Sequence, residues 1–356
     1  MKLNLYARYV GWVYLKSFLI VFFALELFYV GIDLLTNLKD LPNSANLQLL
    51  YVGLTSLSAV SYVMPISLVF ALIISHINMV RSNELVSFYA LGVSKNGLIL
   101  PPFFIALAVT FLYVGLNCTP FAYAYDYQKS IAKNTSFSKS TTDSFLKFEG
   151  KFIYIKELSA SQKNAKDVRI FDINGTDLLS TTFADGAKFK NNHWQLQDVN
   201  QTLLPKDLRL GQKGLSVQNF DELDALSGFK PKSIESANAA DGARFSIPDT
   251  LDFIFTFKNE GVELDSVKSA FYSLAIAPFF APFLILILYY HLPVTGRFFN
   301  LAFASFIFIV ITLVIWGILF VLARFAQSSV ILPEFGILLP VILLFAYGIY
   351  LLKTHR

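Results

Sequence analysis

WVYLKSFLIVFFALELFYVGIDLLT, residues Trp12 to Thr36, is an apolar run interrupted by charge only at Lys16, Glu26 and Asp33. It exceeds the ~20 apolar residues that carry a helix across a ~30 Å hydrocarbon core. A chain in lipid must satisfy its own backbone hydrogen bonds, so a run of this length predicts a spanning helix. Five further runs follow outward from it: Leu54–Met79, Leu98–Tyr125, Val267–His291, Phe298–Ala323 and Val330–Leu352. Between the third and fourth, Asp126–Asp265 is dense in Lys, Asp, Asn and Ser and has no place in lipid. The pattern predicts an α-helical integral membrane protein of six transmembrane helices, three plus three, around one inserted domain. The expected divisions are 1–125, 126–265 and 266–356.

Composition agrees: 55% hydrophobic residues, 36 Phe and only 15% charged residues are membrane composition. The net charge of +4 is explained by topology. With the N-terminus inside, the short inner segments hold Lys2, Arg8, Lys16, Arg81, Lys95, Arg297, Lys353 and Arg356, against the single acid Glu84. Asp126–Asp265 carries 18 Lys/Arg and 20 Asp/Glu, which is close to neutral. This asymmetry predicts both termini in the cytoplasm and the large domain outside. No basic stripe with interleaved aromatics points to nucleic acid. The first run is too long for a signal peptide and lacks a small-residue cleavage site, so it reads as a retained helix. The lone Cys118 excludes an intrachain disulfide and reads as structural.

Within the inserted domain the sequence turns β-rich. KFIYIKEL (Lys151–Leu158), DVRIFDI (Asp167–Ile173) and HWQLQDV (His193–Val199) mix β-branched or aromatic residues with polar ones. Asn174-Gly175, Asp185-Gly186 and Asn191-Asn192 are the turn candidates between them. Strands at this spacing predict an all-β sandwich or jelly roll. Lys232–Gly242 reads as a loop, and Ser246-Ile-Pro248 as the start of a short amphipathic helix over Pro248–Lys258.

The usual signatures of chemistry are missing. There is no phosphate-cradling Gly-x-x-x-x-Gly-Lys-Ser/Thr loop, no His-Glu-x-x-His and no Gly-x-Ser-x-Gly elbow. His76, His193, His291 and His355 are scattered, so no metal site is expected. What stands out instead is charge inside the spans. Glu26 and Asp33, seven residues apart, share nearly one face of the first helix, and ionisable groups at such depth face a bundle interior or a wet cavity. With Lys39 and Arg324 they line either a set of structural pairs or an outward-facing cavity for the headgroup of an amphiphilic cargo. The loop RSNELVSFYALGVS (Arg81–Ser94) is too polar to span. Leu85, Phe88, Tyr89 and Gly92 make one face of a short helix over about 82–92, with Ser82 or Asn83 to cap it and Gly92 to end it. Such a helix either lies at the membrane interface or docks into a cytosolic partner.

That loop resembles the coupling-helix signature of the LptF/LptG (YjgP/YjgQ) permeases of lipopolysaccharide export. Gly31-Ile-Asp33, Met64-Pro-Ile66, Lys151-Phe-Ile-Tyr-Ile155 and Leu338-Leu-Pro340 are similar to the family as well. The outer-domain opening and short C-terminus resemble the LptG branch more closely. The resemblance implies an inner-membrane ABC-transporter permease with a periplasmic jelly roll. Its partners would be a cytosolic LptB-like ATPase dimer that binds the ATP, a paralogous LptF-like permease subunit and an LptC-like single-span protein. Lipopolysaccharide would be the cargo, and the chain itself would hold no cofactor and be no enzyme. Arg81, Glu84, Leu85, Phe88 and Tyr89 would form the ATPase contact, with Glu84 paired to a basic residue there. The chain departs from the family where members of the G type carry lysines near the outer end of the first span. Alternatives are a permease for another lipid or lipoprotein, and a membrane-anchored periplasmic sensor or enzyme. Finally, Asp172-Ile-Asn174-Gly-Thr176 and Asp198-Val-Asn200-Gln-Thr202 fit an acidic glycosylation sequon in the segment expected outside.

Overall fold

A computed structural model describes residues 5–39, 41–132, 140–160, 162–175, 177–205, 214–238, 245–258, 264–297 and 300–355. Two compact units emerge: Met1–Asn134 together with Lys268–Arg356, and Thr135–Val267. In chain order the elements are α1 (Leu5–Asn37), α2 (Ala45–Arg81), α3 (Glu84–Ala90), α4 (Lys95–Leu116) and α5 (Ala124–Ala132). Strands β1 (Ser140–Phe148), β2 (Lys151–Ser159), β3 (Asn164–Asn174), β4 (Asp177–Lys190), β5 (His193–Leu203) and β6 (Ser216–Ala225) follow. The chain closes with α6 (Pro231–Asn238), α7 (Ile247–Phe257), α8 (Asp265–Ala275), α9 (Phe280–His291), α10 (Leu301–Gln327) and α11 (Leu339–Thr354).

Among the described residues six helical segments are long and apolar enough to cross a membrane: α1, α2, α4, the broken α8–α9, α10, and α11 with the turn before it. Prolines set two departures from the apolar runs. The third apolar run reaches Tyr125 in the sequence, but α4 stops at Leu116 and Pro120 opens a 3₁₀ turn over Pro120–Tyr123. In the fourth, Pro278 cannot donate to the helical ladder, and a 3₁₀ turn at Ala277–Phe279 separates α8 from α9. Span α2 is central, with 61% of its most apolar window buried against 6% for α10. The apolar surface of α10 is therefore left for lipid or another chain to cover. Before α11 a π-helical turn spans Glu334–Leu338. A Cβ on Gly336 would lie 2.9 Å from Ala326 Cβ and 3.0 Å from the Leu322 carbonyl oxygen, so a glycine lets this turn close onto α10.

The second unit holds one six-stranded antiparallel sheet in the order β1-β2-β3-β4-β5-β6. The Greek-key connections of a sandwich or jelly roll do not occur among the described strands; each pairs with its sequence neighbour as an up-and-down meander. Strand spacing alone does not separate these topologies. Asn191 and Asn192 form the β4–β5 turn with φ of 48° and 67°, and Asn174-Gly175 falls at the β3–β4 turn. Asp185-Gly186 is not a turn. It lies inside β4, on a line that crosses the whole sheet.

Along that line the register omits the pairs Asp143/Lys156, Lys156/Asp167, Asp167/Asp185, Asp185/Asp198 and Asp198/Asp221. Asp143, Asp167 and Asp198, on alternate strands, have φ of 56°, 48° and 53°, the left-handed region that Asp tolerates better than other side chains with a Cβ. Core-facing residues step by three there instead of two: Ile155/Leu158, Ala165/Val168, Ala184/Ala187, Leu196/Val199 and Phe220/Leu223. A strand period of two would send one half of each strand's apolar side chains to the wrong face. The kink restores them to a single core.

That core closes on Phe229, whose ring lies 4.7 Å from Phe148 and 6.0 Å from Phe257. Its carbonyl accepts the buried Trp194 Nε1–H at 2.6 Å. Of the expected loop Lys232–Gly242, residues 232–238 form part of α6 instead, which Pro231 opens and fully buried Ile234 anchors, while 239–242 lie outside the described residues. The expected helix before the fourth span is α7. Ser246 and Asp249 form a reciprocal capping box at its start.

Candidate functional site

Two places in the helical unit gather the polar residues singled out above. The first is α3, which packs beside the end of α2. Asn83 sits at its N-terminal boundary with φ of 58° but makes no side-chain cap. Its end is better defined. Gly92, at φ +81°, donates to the Tyr89 carbonyl, and Val93 N–H reaches back to the Phe88 carbonyl, both at 3.0 Å. This Schellman closure satisfies two end carbonyls of a seven-residue helix.

The helix has two faces. Leu85 is 1% exposed, a full member of the spans' own core, with Phe88 and Tyr89 packed against it. Tyr9 of α1 lies 6.2 Å from the Phe88 ring. Tyr89 Oη lies 3.3 Å from Tyr289 Oη in α9. Burial pushes the Tyr89 phenol above its ordinary pKa, and the Tyr289 hydroxyl pulls it partly back. Leu85 thus holds α3 to the spans of this chain, and half-buried Phe88 and Tyr89 pack against the same core. The outward face is Val86, Ser87, Ala90 and Leu91, with Leu91 79% exposed. Arg81 is also exposed and Glu84 half-buried between the two faces. The helical spacing identified one side of α3; that this side faces inward follows from the spans around it.

The second place lies between α1, α2 and α5. Buried Glu26 accepts the Ser56 hydroxyl on Oε1 at 2.9 Å, while its Oε2 has no partner among the described residues. One turn-pair further on, Asp33 Oδ2 accepts from Tyr51 Oη at 2.7 Å and from Gln128 Nε2 at 3.2 Å. Gln128 also takes a bond from buried Ser58. The face carrying Glu26 and Asp33 therefore points into the bundle, and both carboxylates are tied to polar groups of the same chain. Tyr51 and Gln128 escaped the sequence reading because neither breaks an apolar pattern. Lys39 and Arg324 do not join them. Both are exposed, and Arg324 bonds Gln327 at 3.2 Å and stacks over Phe320 at 5.1 Å. Glu334 pairs with Lys268 at 3.7 Å instead. In the second unit Asn174 and Asn200 are both exposed, the first at the β3–β4 turn and the second in the middle of β5. No group of His, Cys, Asp and Glu placed to hold a metal occurs among the described residues.

The chain matches one family model along almost its whole length. Residues 8–354 fit the lipopolysaccharide export system permeases LptF/LptG. The chain belongs to the LptF/LptG family. The match covers both branches and does not favour either. No curated protein matches the chain significantly. As an LptF/LptG permease, the chain is a multi-pass membrane protein of lipopolysaccharide export and a permease rather than a catalytic subunit.

Proposed function

We propose that this LptF/LptG protein is a permease subunit of an ABC transporter in a bacterial inner membrane. It takes lipopolysaccharide from the outer leaflet and hands it to a periplasmic bridge. Both termini lie in the cytoplasm and the β unit in the periplasm, as the inner excess of Lys and Arg supports. A cytosolic LptB-like ATPase dimer binds and hydrolyses the ATP, a paralogous subunit completes the translocation path, and an LptC-like protein receives the lipid. The observation that carries this reading is the outward face of α3, held from behind by buried Leu85 yet uncovered at Val86 and Leu91. An exposed apolar strip on a firmly seated short helix suits docking better than free rotation in solvent. Glu84 and Arg81 add charge at the edge of that strip. On the outer side, Lys39 and Arg324 are the cations available to an anionic headgroup, while Glu26 and Asp33 serve the bundle.

The test is purification of the tagged chain from native membranes, followed by reconstitution in proteoliposomes with lipopolysaccharide. We expect an ATPase to co-purify and ATP to drive release of lipopolysaccharide to a soluble acceptor. In intact spheroplasts, protease should cut the β unit and spare a C-terminal tag. A chain that copurifies with no ATPase, or whose C-terminal tag is lost while the β unit survives, refutes the reading.

A further inference from the structure

We infer that Tyr289 and Tyr290, at the end of α9, form a positioning hub that passes displacement of α3 to the spans. This inference rests on the proposed docking of an ATPase at α3. The two phenols are neighbours in sequence but reach in different directions. Tyr289, 5% exposed, places its hydroxyl 3.3 Å from Tyr89 in α3. The His76 ring of α2 stands nearly perpendicular to it, at 89° and 5.3 Å. Tyr290, 8% exposed, donates to Asn96 Oδ1 at the start of α4. Asn96 Nδ2 in turn donates to the Leu352 carbonyl of α11 at 2.9 Å, and His355 stacks on Tyr290 at 4.9 Å. One dipeptide therefore joins α3 to four of the spanning segments.

Chemistry explains why tyrosines occupy these positions. A buried phenol must find a polar partner, and its ring supplies a rigid apolar body. Together the two rings hold position by packing while their hydroxyls define direction. The Tyr89–Tyr289 bond is long for a pair of hydroxyls, which prefer about 2.7–2.8 Å. It is weak enough to be remade when α3 moves. Behind Tyr289 the contact is firm: His76 Nε2 bonds the Pro293 carbonyl at 3.0 Å, just past the end of α9. With His76 as a backstop, movement of Tyr89 is transmitted along α9 rather than absorbed by rotation of the Tyr289 ring. Farther along the same span, the 3₁₀ turn at Ala277–Phe279 is the natural place for that motion to bend the helix. Phenylalanine at either position of the hydroxyl pair would keep the packing and lose the directional link.

The experiment uses the complex co-purified with the full chain, carrying Tyr89→Phe, Tyr289→Phe or both. ATP hydrolysis and lipopolysaccharide release are measured on the same proteoliposomes, with ATPase stoichiometry and melting temperature as controls. Each single variant should retain the ATPase and hydrolysis while releasing about three- to tenfold less lipopolysaccharide per ATP, and the double variant should be no worse than either single. A merely structural role would lower melting temperature or complex yield and leave the release ratio unchanged. An unchanged ratio in both singles, or defects that multiply in the double, overturns the hub. If Tyr289→Phe lowers the yield of complex, Tyr89→Phe on the α3 side reads the same bond and decides alone. Absence of any ATPase from the wild-type preparation overturns the docking reading and the hub with it; an ATPase present with unchanged ratios overturns only the hub.

Discussion

Leu85 and Leu91 lie six residues apart on and just beyond one short helix, yet truncating them should have opposite consequences. Leu85 is 1% exposed inside the core of the spans, and Leu91 is 79% exposed. Leu85→Ala removes buried atoms and leaves a cavity, a loss of about 2–5 kcal/mol in subunit stability. Leu91→Ala removes almost nothing from the folded subunit. If the outward face docks on an ATPase, Leu91 becomes buried only in the complex. Full burial of a leucine contributes about 1.5–3 kcal/mol. Scaled to the exposed fraction and to the atoms lost in alanine, that leaves roughly 1–2 kcal/mol, or about five- to thirtyfold in affinity. The assay pairs thermal unfolding of the purified subunit with titration of the co-purified ATPase. Leu85→Ala should lower melting temperature before affinity; Leu91→Ala should lower affinity with an unchanged melting temperature. The reasoning fails if Leu91→Ala destabilises the isolated subunit as Leu85→Ala does, or if Leu85→Ala weakens docking while stability is intact.

Three further outcomes follow from the geometry. Gly336→Ala should destabilise the helical unit by about 1–3 kcal/mol, because Ala326 and the Leu322 carbonyl oxygen both crowd the new methyl group; Ala326→Gly in the same chain should restore part of the loss, measured by thermal unfolding in detergent. Asp198→Val should cost about 1–2 kcal/mol for a branched side chain at φ of 53°, whereas Asp198→Gly should be tolerated, and equal stability of the two would remove the sheet-kink argument. The hydrogen bond from Arg169 holds the Asp167 carboxyl below its ordinary pKa. Its stabilising contribution is therefore complete above the usual aspartate range, about 3.9, and lost as pH falls through the lower folded value; Arg169→Gln should move the Asp167 carbon-13 titration upward.

Much of the helical unit was legible because lipid imposes a simple rule, that a backbone must bond to itself over some twenty residues. The end of α3 was legible for an equally local reason: Gly92 is the residue that can adopt φ +81° without a Cβ penalty. Its orientation was not local. Leu85, Phe88 and Tyr89 form an apolar stripe at helical spacing, but such a stripe fits a foreign groove or the parent bundle equally well. The deciding partners, Tyr9 and Tyr289, come from α1 and α9, and the second is 200 residues away. The carboxylates behaved likewise. Their depth in α1 indicated an interior face, while their partners Ser56, Tyr51 and Gln128 required the packing of α2 and α5.

In the β unit the missed information was present as rhythm. Apolar residues at Ile155 and Leu158, Ala184 and Ala187, or Leu196 and Val199 break the period of two, and in any single strand that break resembles noise. Only pairing aligns the breaks at one level, where Asp143, Asp167 and Asp198 carry the left-handed conformation. A turn and a kink then become distinguishable by physical requirement. A two-residue turn reverses the chain, and at Asn191-Asn192 both residues have positive φ. A kink bends a continuing strand, so one positive φ on every second strand suffices. Asp185-Gly186 meets the turn composition but lies between strand halves whose partners continue on both sides. Composition proposes a change of direction there, and the ladder on either side decides that the strand bends and goes on. The same bend lets residues from both halves reach one core around Phe229, since Phe148 and Trp194 approach it from opposite sides of the kink.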